Sequence, residues 1–347
     1  MTPELNRIEP ARPGGTPGTG RRIVLLAGGV GGSNFALGLR AALAPGDELT
    51  VIRNTGDDWW IAGLRIQPDI DSMLYALAGV KDLTKGWGRA DDSLRVSGEL
   101  AAWGVGREWF ELGDLDLGAH IARTSWLRAG ATVSEAVARL TARWPLGALM
   151  LPMTDAEVDT QVVLPDETIH FQEWWTRYRA RREPLAFENP GIAAARPAPG
   201  VLEAIAAADI VVLAPSNPIV SIGPILAVPG IADALRQTEA PVVGVSPIIG
   251  GAPVRGMADV CLRVAGVACT ASGVAAHYGA RRDGGVLDAW LIAEEDQAEA
   301  TAVEGLGIRS AVRPLWMTDA AHSRALGEDV LAVAASVTPQ RRSPVER

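Results

Sequence analysis

The junction between Arg22-Ile23-Val24-Leu25-Leu26-Ala27 and Gly28-Gly29-Val30-Gly31-Gly32 constrains the fold more than any other feature of the chain. The first segment is a short apolar run of the kind that forms a parallel strand buried on both faces. The second lets the backbone turn sharply and approach a ligand closely, because glycine carries no Cβ. From Ser33 to Leu43 the spacing turns helical, with Phe35, Leu39 and Leu43 on one face, and Leu49 to Arg53 reads as a second strand. Strand, glycine turn, helix and strand open a doubly wound α/β fold, with the free N–H groups of the helix aimed at whatever anion occupies the turn. The dinucleotide fingerprint G-x-G-x-x-G is incomplete, since Asn34 stands at the third glycine position. No Gly-Lys-Ser/Thr follows, which excludes a Walker loop.

The α/β rhythm lapses and then returns. Asp71 to Val80 reads as a helix with acidic residues at its start. Thr132-Val133-Ser134-Glu135 has the capping-box pattern for a helix continuing to Trp144. Thr160–Leu164 and Thr168–Phe171, separated by Pro165-Asp166-Glu167, read as a hairpin. Beyond it come a helix from Val201, a buried strand over Asp209–Ala214, and the loop Pro215-Ser216-Asn217-Pro218. A strand at Pro241–Val245 leads into Ser246-Pro247-Ile248-Ile249-Gly250-Gly251, and Val286–Ile292 and Ala311–Leu315 are further strand candidates. The expected architecture is a Rossmann-like parallel-sheet core from residues 21–71 and 196–330. It is interrupted by a largely helical insertion over 72–195, preceded by a Pro/Gly-rich disordered lead-in (1–20) and followed by a C-terminal tail (331–347).

A net charge of −9 opposes nucleic-acid binding, which needs clustered Lys and Arg. An acidic protein that binds phosphate must do so through local amides, a few Arg or a metal ion. The two cysteines, Cys261 and Cys269, exclude a disulfide framework and a cysteine-rich zinc site. No apolar run spans a bilayer and no signal pattern opens the chain, so a cytoplasmic protein is expected.

Four elements can carry chemistry. Gly28–Gly32 can cradle a phosphate or simply make a tight turn. Asp57 and Asp58 follow Asn54-Thr55-Gly56 at the sheet's carboxyl edge, with Asp69 and Asp71 close behind. Such carboxylates can hold Mg²⁺, accept a proton from a hydroxyl, or serve as turn and capping residues. The loops at Ser216-Asn217 and at Ser246–Gly251 follow apolar strands and fall on the same edge, where open parallel sheets bind ligands. Trp174-Trp175, followed by Arg177, Arg179, Arg181 and Arg182, could stack a flat ring, although such runs more often serve cores and subunit contacts. His120, His170, His277 and His322 show no metal-pair spacing.

These segments occur in one order: Leu26-Ala27-Gly28-Gly29-Val30-Gly31-Gly32, Asn54-Thr55-Gly56-Asp57-Asp58, Pro68-Asp69-Ile70-Asp71, Leu112-Gly113-Asp114, Ala214-Pro215-Ser216-Asn217-Pro218 and Ser246-Pro247-Ile248-Ile249-Gly250-Gly251. The set resembles the 2-phospho-L-lactate transferase family of coenzyme F-420 biosynthesis. His170-Phe171-Gln172-Glu173-Trp174-Trp175 and Arg177-Tyr178-Arg179 resemble its actinobacterial branch, whose member is a phosphoenolpyruvate transferase. The resemblance implies a guanosine diphosphate ester as donor, carrying enolpyruvate or lactate, and 7,8-didemethyl-8-hydroxy-5-deazariboflavin as acceptor. GMP leaves, Mg²⁺ assists, and the enzyme is a homodimer. It further implies that Gly28, Gly29, Gly31, Gly32, Asn54, Ser216, Asn217, Ser246, Gly250 and Gly251 contact substrate. Asp57 and Asp58 are implied as the catalytic and metal-holding pair, and Asp71 lies at the deazaflavin side. Two rival readings are a nucleotide-sugar-binding regulatory protein of the same superfamily, without transferase activity, and an NAD-dependent oxidoreductase. The missing third glycine and the lack of a proton-transferring His or Tyr constellation count against the latter.

Overall fold

The computed structural model describes residues 20–339; the expected lead-in, apart from Gly20, and the last eight residues lie outside them. Seven parallel strands form the central sheet: β1 (Arg22–Ala27), β2 (Glu48–Arg53), β3 (Leu149–Pro152), β4 (Ile210–Leu213), β5 (Val242–Val245), β6 (Ala289–Ala293) and β7 (Arg309–Arg313). Their spatial order is β7-β6-β5-β4-β1-β2-β3, so the chain adds strands to one side of β1 and then crosses to the other. β1 pairs with β2 at Leu26↔Ile52 and with β4 at Leu26↔Leu213. The gap between the carboxyl ends of β1 and β4 is therefore the topological switch point, where such sheets bind ligands.

Alternation along each strand explains the two cores. Ile23, Leu25, Val51, Val212, Val243 and Leu291 face one layer; Val24, Leu26, Ile52, Val211, Leu213 and Val242 face the other. Burying each such side chain stabilises the fold by about 2 kcal/mol. The first layer holds α1 (Gly29–Ala42), α2 (Pro68–Leu77) and the C-terminal helix Ala320–Ala335. That last helix lies directly on α1. A Cβ on Gly38 would come within 2.1 Å of the Ser323 carbonyl oxygen, and one on Gly327 within 2.9 Å of the Gly38 carbonyl oxygen, so both positions must be glycine. Residues 331–335, expected in a tail, belong to this helix because Leu331, Val333 and Ala334 are buried in the core.

α1 begins four residues before the expected Ser33. Gly29 enters it at φ +64°, a conformation that costs glycine little. The middle of the chain departs further from expectation. It is helical through α3 (Arg95–Ala102), α4 (Asp114–Arg128) and α5 (Val133–Thr141), and the Thr132/Glu135 capping box is present. It then supplies β3, which pairs with β2 at Val51↔Met150 as an edge strand of the core sheet. Pro152 is tolerated there because an edge strand need not donate on its outer side. A three-stranded antiparallel sheet follows, with Gln161–Val163 between Thr168–His170 and Ala186–Glu188. The stretch 72–195, expected as a largely helical insertion, also returns a strand to the core sheet.

Candidate active site

A cleft of about 750 Å³ opens at the switch point. Gly28, Gly29, Val30 and Gly31 form one lip, and Ser216 and Asn217 form the other. The Ser216 hydroxyl ties the two together, accepting from the Gly28 N–H at 3.2 Å and donating to the Gly28 carbonyl at 2.7 Å. Packing also accounts for the glycines. A Cβ on Gly28 would fall 2.5 Å from Ser221 Cβ, and one on Gly32 would fall 2.6 Å from Ser216 Oγ. Gly32 does not line the cleft; it supports the lip from behind. The first-turn amides of α1 have no acceptor within the helix. One of them, Gly29 N–H, donates to Asp69 Oδ1 at 2.7 Å.

The carboxylates divide by direction. Asp57 lines the cleft; Asp58 does not, although both are buried. The Asn54 amide reaches Asp69 Oδ2 at 3.0 Å and Asp57 Oδ1 at 3.5 Å, so Asn54 organises the acids from below the cleft. The Gln172 amide reaches Asp57 Oδ2 at 3.4 Å. Burial, reinforced by the charges of Asp69 and Asp58, pushes the Asp57 carboxyl well above the usual range. Asp58 instead accepts from Gln67 Nε2 at 2.5 Å and sits 3.8 Å from Arg65 Nη2. Of the implied pair only Asp57 faces the cleft: the two residues lie in the turn after β2, where the Asp58 N–H donates to the Thr55 carbonyl at 3.3 Å. The second carboxylate beside Asp57 is Asp69, whose backbone carbonyl and Oδ1 lie 2.6 and 3.6 Å from Arg53 Nη2.

At the far end, Asp71 is buried against Arg123 and His120, both from α4. Arg123 Nη1 lies 3.0 Å from His120 Nδ1, and the Tyr75 hydroxyl donates to Asp116 Oδ1 at 2.5 Å. Asp71, Asp116 and His120 bring ligand atoms within 4.8 Å of one another. Arg123 pairs with Asp71 there and Tyr75 and His120 engage Asp116, so both acids already have protein partners. His120 and Arg123 carry no motif in the sequence. Their only signal is the i, i+3 spacing that puts them on one face of α4.

The walls are aromatic. Trp87, Trp109, Phe110, Phe171 and Trp175 line the cleft. Trp174 is a core residue whose Nε1 donates to the Arg182 carbonyl at 2.7 Å. Trp59 stacks on His170 with ring centroids 4.9 Å apart. The His170 imidazole donates through Nε2 to the Asp58 carbonyl and accepts the Gln172 N–H at Nδ1, both at 3.1 Å. Burial pushes its pKa down from 6.5 to about 4. The unfolded chain thus takes up this proton first as the solution is acidified, so folded-state stability should fall as pH drops from 6.5 towards 4. Melting curves across that window should be less pH-dependent in His170→Gln; an unchanged slope would exclude this residue as the cause.

The late loops divide likewise. Asn217 lines the cleft while its Oδ1 accepts from Ile219 N–H at 2.9 Å, and Ser246 lines it while its Oγ donates to the Ile248 carbonyl at 2.9 Å. Gly250 and Gly251 do not reach the cleft. With φ of +60° and +73° they form the turn between Ile248–Ile249 and Ala252–Pro253, and the Gly250 N–H donates to Asp296.

A parallel sheet of this order, with an amide-rich lip and acids at its switch point, defines a Rossmann-like α/β enzyme. The chain belongs to the family whose model is described as 2-phospho-L-lactate transferase CofD, which matches residues 23–333, and it is a transferase. A phosphoenolpyruvate transferase of Streptomyces griseus is 49% identical over 320 residues, covering 91% of this chain and 99% of the relative. Another, from Nocardia farcinica, is 51% identical over 310 residues, covering 87% and 92%. In fold, the chain is similar to a upf0052-family crystal structure from Bacillus halodurans, with TM-score 0.58 and 18% identity over 90% of this chain and 99% of that one.

Proposed function

We propose that the enzyme transfers the enolpyruvyl-phosphate (or 2-phospho-lactate) group of a guanosine diphosphate ester to the terminal ribityl hydroxyl of 7,8-didemethyl-8-hydroxy-5-deazariboflavin, in coenzyme F-420 biosynthesis. The reading also has it acting in the cytoplasm as a homodimer; among the described residues no single helix is long and apolar enough to cross a membrane. One observation carries the proposal: the buried carboxylate Asp57 faces a cleft lined both by the α1 amide lip and by aromatic side chains. The amides of Val30 and Gly31 would hold the pyrophosphate, and the aromatic wall would take the flat deazaflavin. The hydroxyl oxygen bonds to the distal phosphorus, the bond to the bridging oxygen breaks, and GMP leaves with that electron pair. Such transfer needs in-line placement and charge neutralisation more than covalent help.

Asp57 faces the cleft where the hydroxyl would sit and, once ionised, would take the hydroxyl proton. Magnesium also fits here: Asp57 and Asp69 are buried together, and a cation between them would offset both the burial and the like charge that disfavour an ionised Asp57. Held by these two acids, magnesium would neutralise phosphate charge. The deciding experiment offers enolpyruvyl, lactyl and phosphoglyceryl guanosine donors in competition and reads the product by mass spectrometry. An enolpyruvyl adduct of the deazaflavin, with GMP, is expected. No deazaflavin adduct from any donor would reject the reading in favour of the nucleotide-sugar-binding rival.

A further inference from the structure

A second cavity, of about 350 Å³, lies between α2, α4 and the end of α5. Its walls carry three arginines, Arg89, Arg139 and Arg143. None of the three forms an ion pair or a side-chain hydrogen bond among the described residues, in a chain with 41 acidic side chains. Their partners are aromatic faces instead. The Arg143 guanidinium lies 4.4 Å from the centroid of Trp144, Arg89 lies 5.5 Å from the same ring, and Arg139 lies 5.6 Å from Trp126. Arg89 also lies 5.9 Å from the Tyr75 ring.

A guanidinium lying against an indole has one face covered while its in-plane N–H fork stays free for an oxyanion. One such donor, Arg89 Nε, is already buried with no acceptor, a costly state that an incoming oxygen would relieve. The one carboxylate in the wall, Asp114, is engaged elsewhere: Ser93 Oγ donates to it at 2.5 Å and the Val96 N–H at 3.0 Å. Asp114 also pairs with Arg95 at 3.7 Å, so the three wall arginines have no carboxylate of their own and favour a multiply charged anion.

We propose that this cavity is a second ligand site, separate from the transferase cleft, that takes a small doubly charged oxyanion, a phosphate or a dicarboxylate. Tyr75 walls both cavities, so the occupant sits one ring away from the main cleft. The assignment rests on no substrate of the cleft; only the test draws on the proposed function, using its guanosine nucleotide to fill that cleft.

The test is calorimetric titration of the full chain with inorganic phosphate and, separately, with succinate, with guanosine diphosphate present to occupy the main cleft. Saturable binding of either anion is expected, and the better ligand identifies the source. Arg139→Ala/Arg143→Ala should weaken that binding at least about tenfold, as expected for losing charge-assisted bonds, with guanosine diphosphate affinity unchanged. Leu115→Glu keeps every arginine but places a carboxylate at the cavity wall, where Leu115 is 45% exposed, and should block binding without unfolding the helix. The proposal is overturned if neither anion binds saturably, or if both the double variant and Leu115→Glu bind as tightly as the parent.

Discussion

Turnover by Asp57→Asn is expected to fall by about 10² to 10⁴-fold, the range for losing a positioned proton acceptor, while guanosine diphosphate binding survives. The amide keeps the shape of the carboxylate but can neither accept the proton nor hold a cation. The amide lip that would grip the nucleotide is formed by Gly28–Gly31 and fastened by Ser216, none of which needs Asp57. Asp58→Asn is the informative control. Asp58 is turned to Gln67 and Arg65 outside the cleft, so its loss should lower the melting temperature more than kcat. Paired kcat and melting measurements on the two variants check this; equal losses of kcat would overturn the division of roles.

Arg123→Met should be the most destabilising single change at the site, by about 3 to 5 kcal/mol, because it strands a buried carboxylate. Arg123 is fully buried, and its partner Asp71 is 4% exposed. The double variant Asp71→Asn/Arg123→Met removes both charges and should recover much of the loss, since the penalty is for an unpaired charge rather than for missing contacts. Urea denaturation of the two single variants and the double variant gives the coupling. A single-variant loss below about 1 kcal/mol, the level of a surface ion pair, would mean that water reaches Asp71.

The core was legible where one short-range rule governs. Apolar runs ending in turn residues marked β1, β2, β4 and β5, and the glycine loop placed the site at the switch point. The Leu149–Pro152 strand leaves no mark in the sequence, because an edge strand with alternating burial and a terminal proline has no distinctive run. Helical spacing alone starts α1 at Ser33 because glycine-rich segments have poor helix propensity, whereas in the structure the close contacts of the glycines with Ser216 and Ser221 decide. Adjacent Asp57 and Asp58 looked equivalent, since the direction of a side chain depends on backbone geometry that residue identity does not reveal. Gly250-Gly251, implied as substrate contacts, form a hairpin turn instead, since glycines with positive φ serve such turns as readily as ligand loops. His120 and Arg123 lie about 50 residues from Asp71 in sequence, and only the tertiary packing of α4 brings them to it.

The seating of the last helix on α1 sets an order of events during synthesis. The helix that presents the amide lip, Gly29–Ala42, leaves the ribosome long before the surface it rests on, Ala320–Ala335. A nascent chain stalled before Asp319 would hold every residue of the cleft and still lack the backing for the Gly38 face of α1. Quality-control proteases would meet that half-supported species, so lesions in the final helix should show up as lost protein rather than as altered chemistry.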